Sequence, residues 1–111
     1  MKLKSSVALM GLKPETMVAW MAAYHIITHV HEAPMVVTSV CDSKHGVPFS
    51  SHYDGRAFDI RIKDPVSGRW IIPVEEQEEV VEEMRAALTS DFYIQLESDH
   101  IHVQFKVRYR P

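Results

Sequence analysis

Apolar and polar positions change their period several times along the chain, and each change marks an element. From Pro14 to about His31 the apolar positions Met17, Trp20, Met21, Tyr24 and Ile27, continued by Thr28 and His31, fall near helical spacing and predict a helix. Pro14 suits its first turn, Glu15 complements the positive end of its dipole, and Ala33-Pro34 ends it. The β-branched run MVVTSV, Met35 to Val40, predicts a strand. A polar loop bearing Gly and Pro follows, CDSKHGVPFSSHYDG. RAFDIRI then alternates, with Ala57, Asp59 and Arg61 on one face and Phe58, Ile60 and Ile62 on the other, as in a strand with one apolar side. After the turn KDPVSG and the short extended piece RWIIPV, VEEQEEVVEEMRAALTS predicts a second helix. Its buried stripe is Val80, Val81, Met84, Ala87 and Leu88, and its glutamates form a wet face. FYIQL and HIHVQFKVRY close the chain as two strands around a turn near Ser98. His100, His102, Gln104 and Lys106 share one face of the last, and Ile101, Val103, Phe105 and Val107 the other. This order predicts an α+β fold, a central antiparallel sheet with helices packed on one face.

Composition narrows the picture. At 111 residues the expectation is a single domain over 1–111, and 46% apolar residues suffice for a core. No run of about 18 apolar residues predicts a membrane span. The apolar patch behind Lys2 and Lys4 is broken by Gly11 and Pro14, so no signal peptide is read and synthesis in the cytoplasm is expected. A formal net charge of −3 argues against nucleic acid as a partner. The single cysteine, Cys41, excludes an internal disulfide and a multi-cysteine zinc site, and has no evident base to make it a nucleophile. Seven histidines, by contrast, are many for so short a chain.

The most suggestive setting for a histidine is SSHYDGRAFDIR. His52 and Asp59 are seven residues apart, with Gly55 and Ala57 between them. Glycine allows a tight turn between the two, and a small residue on the face of Asp59 leaves room beside it. ESDHIHVQF carries His100 and His102 at i and i+2, on one face of one strand. If the two strands are neighbours, His52, Asp59 and one of His100 or His102 converge as two imidazoles and a carboxylate. This is a common catalytic zinc set that keeps a fourth position for water. Hydrolysis there needs a further carboxylate to move the proton, and Asp99 and Glu97 are the candidates.

At these residues the chain resembles a known family. SSHYDGRAFD is similar to the S-x-H-x-x-G-x-A-x-D signature of zinc D-Ala-D-Ala carboxypeptidases and phage L-alanyl-D-glutamate endolysin-type peptidases, with Ser50, His52, Gly55, Ala57 and Asp59 in the matching places. DHIHVQF resembles the closing H-x-H strand, and the likeness covers roughly Met35 to Lys106. The superfamily also includes murein endopeptidases and the hedgehog signalling domain. The resemblance implies a hedgehog/D-Ala-D-Ala-peptidase-like fold, Zn²⁺ held by His52, Asp59 and His102, Asp99 as general base with Glu97 as runner-up, and His100 beside the metal as a transition-state stabiliser. Ser50 would brace the turn or the aspartate ligand. It also implies a peptidoglycan stem peptide as substrate, a phage or prophage setting, and action at the cell wall by a lysis or export route. One departure stands out: where many members carry a substrate-binding arginine this chain has Asp42, so Lys44 or Arg56 would substitute. His45, by its place in the loop before the motif, either lines the cleft or is simply exposed.

Other histidines have plainer readings. His25 and His29, in HIITH, lack the glutamate of the H-E-x-x-H motif and read as packed or surface residues. His31 lies near a helix C-terminus, where a cation is favoured. Tyr53 and Trp70 border a groove or, for Trp70, anchor a sheet edge. Two rival functions are a zinc-binding module of the same fold without turnover, and a metal-free structural or interaction protein.

Overall fold

A computed structural model describes residues 2–3, 14–39 and 57–106. The strands are β1 (Lys2–Leu3), β2 (Val36–Ser39), β3 (Ala57–Arg61), β4 (Phe92–Leu96) and β5 (His100–Phe105); the helices are α1 (Pro14–His25) and α2 (Val74–Ala87). They form one five-stranded sheet in the order β1-β2-β3-β5-β4. The four strands β2 to β5 pair antiparallel, as the order of elements predicts, while β1 adds a parallel edge beside β2 that two residues are too few to announce.

β3 alternates as its sequence does. Phe58, Ile60 and Ile62 are fully buried, and with Ile101 and Val103 of β5 and Ile94 of β4 they form the apolar face of the sheet. Trp20, Ala23 and Ile27 from the first helical segment and Val80 and Met84 from α2 join them in one core. Trp20 meets Phe58 with ring centroids 5.1 Å apart. The opposite face carries Asp59, Arg61, His100, His102 and Gln104, all half-buried, and the fully buried Ala57. Period-two alternation therefore separates core from chemistry one residue at a time: Phe58 and Asp59 are neighbours with opposite destinations.

Three features depart from expectation. The first helix does extend toward His31, but its last turn, Ile26–Val30, is a π-helix closed by the His31 N–H on the Ile26 carbonyl at 3.1 Å. Glu32 then takes a left-handed φ of 55°, and Pro34 follows. In α2, Ala87 is exposed rather than part of the buried stripe. Gln77 is buried instead, its amide donating to the Ile72 carbonyl at 2.8 Å. Nor is the acidic face of α2 wholly a solvated surface. Glu76 and Glu83, seven residues apart and so on one face, reach the His31 ring from both sides. Nδ1 lies 2.8 Å from Glu76 Oε1, and Nε2 bonds Glu83 Oε1.

This clamp ties the end of the π-turn to α2. Burial of the His31 ring lowers its pKa, but the hydrogen bonds to Glu83 and Glu76, with their charges, outweigh that and raise it. A raised folded-state pKa stabilises fully below the unfolded value of about 6.5, and the contribution fades as pH rises through the folded value. His31→Gln is therefore expected to cost about 1–2 kcal/mol below pH 6, after allowing for the solvent exposure of the glutamates. Denaturant titrations at pH 5.5 and pH 9 should show the variant's deficit shrinking at the higher pH; a deficit independent of pH would contradict the clamp.

Among the described residues, no helix is long and apolar enough to cross a membrane.

Candidate metal centre

The two strands that carry the candidate residues are neighbours. β3 pairs with β5 in a register that sets Asp59 opposite His102 and Arg61 opposite His100. Side chains directly across an antiparallel pair share a face and stand about 5 Å apart at Cβ. The carboxylate and the two imidazoles are thus brought together by backbone pairing alone.

The contacts form a row. His102 Nδ1 lies 2.8 Å from Asp59 Oδ1, and its Nε2 lies 3.0 Å from Gln104 Oε1. His100 Nε2 lies 3.8 Å from the same Asp59 oxygen, while its Nδ1 lies 2.7 Å from Asp99 Oδ1. The order across the face is Asp99, His100, Asp59, His102, Gln104. The Asp59 carboxylate raises the His102 pKa above the usual imidazole value; burial opposes this, and Gln104 and the charges of Asp59 and Glu97 add to it. The Asp99 carboxyl is held below its usual value, chiefly by its bond to His100. Asp99 and Glu97 are both exposed, at the β4–β5 turn, where the Glu97 N–H donates to the His100 carbonyl at 2.8 Å.

His52, Ser50, Lys44, His45 and Arg56, with Tyr53, Cys41 and Asp42, lie outside the described residues. Of the implied ligand set, Asp59 and His102 are therefore placed, with His100 beside them. Among the described residues, no three His, Cys, Asp or Glu side chains make a complete metal site. The donors that are placed suit zinc chemically. An imidazole nitrogen faces a carboxylate oxygen across 2.8 Å, the imidazole's other nitrogen is held by an amide carbonyl, and a second imidazole stands alongside.

Gln104 is a residue that the sequence reading placed on this face without giving it a role. Its side-chain carbonyl accepts from His102 Nε2–H, which leaves Nδ1 as the nitrogen turned toward Asp59. The i+2 spacing from His102 is the signal that points to it. Arg61 is a second such residue. It follows Asp59 by two positions on the same face, and its charge reaches both Asp99 and Asp64. His25 and His29 stand apart from this group; both are exposed, and they stack on each other with centroids 5.3 Å apart. Trp70 is 42% exposed, bridged to Lys63 at the sheet margin, with the Lys63 ammonium 5.0 Å from its ring centroid.

Comparison of the chain with family models, with curated proteins and with solved structures returns no match.

Proposed function

We propose that the chain is a zinc-dependent peptidase of the hedgehog/D-Ala-D-Ala-peptidase-like fold, acting on peptidoglycan stem peptides at an amide next to a D-amino acid. The observation that carries this reading is the cross-strand pairing of Asp59 with His102, with His100 on the same carboxylate oxygen. Zinc held by His52, Asp59 and His102 would supply a Lewis acid for the scissile carbonyl and a water of lowered pKa. The chain's own groups do the rest. Asp99 accepts from His100 Nδ1–H and fixes that ring, so that Nε2 faces the Asp59 side of the site. The pair then takes the water's proton and returns it to the leaving amine, and the imidazolium that forms lies beside the developing oxyanion. Glu97 is the second candidate carboxylate for this task. The setting that goes with this chemistry is a phage or prophage enzyme reaching the cell wall through lysis or export.

The tests separate metal binding from turnover. Asp99→Asn should keep zinc at one equivalent and lose most hydrolysis; loss of zinc together with activity would place Asp99 among the ligands instead. Gln104→Ala should weaken zinc binding by roughly 10- to 100-fold, as expected when the partner orienting a ligand imidazole is removed. Competition with a chromophoric chelator reads this directly, and an unchanged affinity would remove Gln104 from the site.

A further inference from the structure

The outward side of the first helical segment is a single stripe. Val18, Met21, His25 and His29 are exposed, at i, i+3, i+7 and i+11, while Trp20, Ala23 and Ile27 between them enter the core. Met21 is 66% exposed, so its thioether is open to an incoming ligand. His25 closes α1, and His29 lies in the π-turn that follows. Single π-turns within helices occur frequently at functional sites. The segment packs on the Phe58 side of β3, so the sheet separates this stripe from Asp59.

The two imidazoles are already disposed as a pair. Their rings stack with centroids 5.3 Å apart, and the Tyr24 ring meets His29 edge-on at 5.9 Å. Among the described residues, neither imidazole makes a hydrogen bond or an ion pair. Two imidazoles on one ion, each with its nitrogen about 2.0–2.1 Å from the metal, have ring centres roughly 5 Å apart. The observed separation therefore matches what one shared ion needs. Met21 stands one turn before His25, where Cβ atoms on a helix are about 5–6 Å apart. Its flexible, unbranched side chain can bring Sδ to the same point.

We propose that Met21, His25 and His29 bind one Cu⁺ ion. The proposal uses none of the residues of the Asp59 row and is independent of the peptidase reading. Two neutral imidazoles and a thioether form a soft donor set. Imidazole suits copper, and thioether sulfur favours Cu⁺. Zinc draws its usual ligands from thiolate, imidazole and carboxylate, and the stripe has only the imidazoles to offer it.

The test is an anaerobic titration of the full chain with Cu⁺ held reduced by ascorbate, in a Cys41→Ser background so that no thiolate competes. The ε-methyl resonance of Met21 and the ring resonances of His25 and His29 should shift together and saturate at one equivalent. Competition with a chromophoric Cu⁺ chelator gives the affinity. Met21→Leu should weaken it about tenfold, and His25→Ala or His29→Ala about 100-fold. These are exposed positions, so each variant should melt within about 4 °C of the parent. Zn²⁺ should bind the stripe at least about tenfold more weakly than Cu⁺, and Met21→Leu should leave that weak binding unchanged. Cu⁺ uptake that does not shift the Met21 methyl, an affinity indifferent to Met21→Leu, or Zn²⁺ bound as tightly as Cu⁺ would overturn the site. So would failure of the stripe to take Cu⁺ from a chelator of micromolar affinity.

Discussion

Asp59→Ala is expected to abolish zinc binding and, with it, the proposed hydrolysis, and His25→Ala to change neither. Among the described residues, Asp59 is the carboxylate that both imidazoles of β5 approach, at 2.8 Å from His102 and 3.8 Å from His100. Its removal leaves two adjacent imidazoles without the anion that joins them. Losing an orienting partner costs 10- to 100-fold in affinity, and losing a ligand should cost more than about 100-fold. Asp59→Asn is the sharper variant, because it keeps the volume and a hydrogen-bond acceptor while removing the charge. It should stay folded and still fail to hold zinc at micromolar concentration in equilibrium dialysis. Retention of one tightly held zinc in Asp59→Asn would move the metal away from β3.

The second large effect falls on the next residue along the chain. Phe58 is fully buried and packs against Trp20 at 5.1 Å, on the side of β3 opposite Asp59. Phe58→Ala removes a large ring from a core shared by both helices and the central strands, at a cost of about 3–5 kcal/mol. A domain of this size has roughly 5–15 kcal/mol in total. The melting temperature should fall by about 10–20 °C, followed by far-ultraviolet circular dichroism. Metal affinity should weaken with it, because the register that sets Asp59 against His102 depends on β3 staying in place. A drop below about 5 °C would mean that the ring is not where the core is centred.

The contrast between these neighbouring residues shows what could be read in the chain. Alternation in RAFDIRI and HIHVQF separated the apolar face from the face bearing Asp59, His100 and His102, because a period of two leaves each side chain one of two destinations. Whether the two faces meet is a matter of strand order and register, on which a pattern within one strand is silent. The β3–β5 pairing supplied that, and with it Gln104 as the partner of His102. The His31 clamp was hidden for a related reason: its glutamates lie 45 and 52 residues away, and on a helix they look like any solvated acidic face. The π-turn left no trace in the periodicity, since a single five-residue turn is too short to shift it. Ala87 fits the helical spacing of the buried stripe, but spacing cannot tell that Ala87 itself stays exposed while Met84 and Leu88 beside it are buried.

Hydrolysis of a peptide by this row of residues is the property on which the proposed function depends. The direct measurement is a digest of purified peptidoglycan by the zinc-loaded chain, read by mass spectrometry with and without a chelator. The expected result is a set of new muropeptide fragments, each ending at an amide next to a D-amino acid, absent when the chelator is present and absent for Asp99→Asn. Intact peptidoglycan, with zinc bound at one equivalent per chain, would contradict the peptidase and leave a metal-binding module in its place.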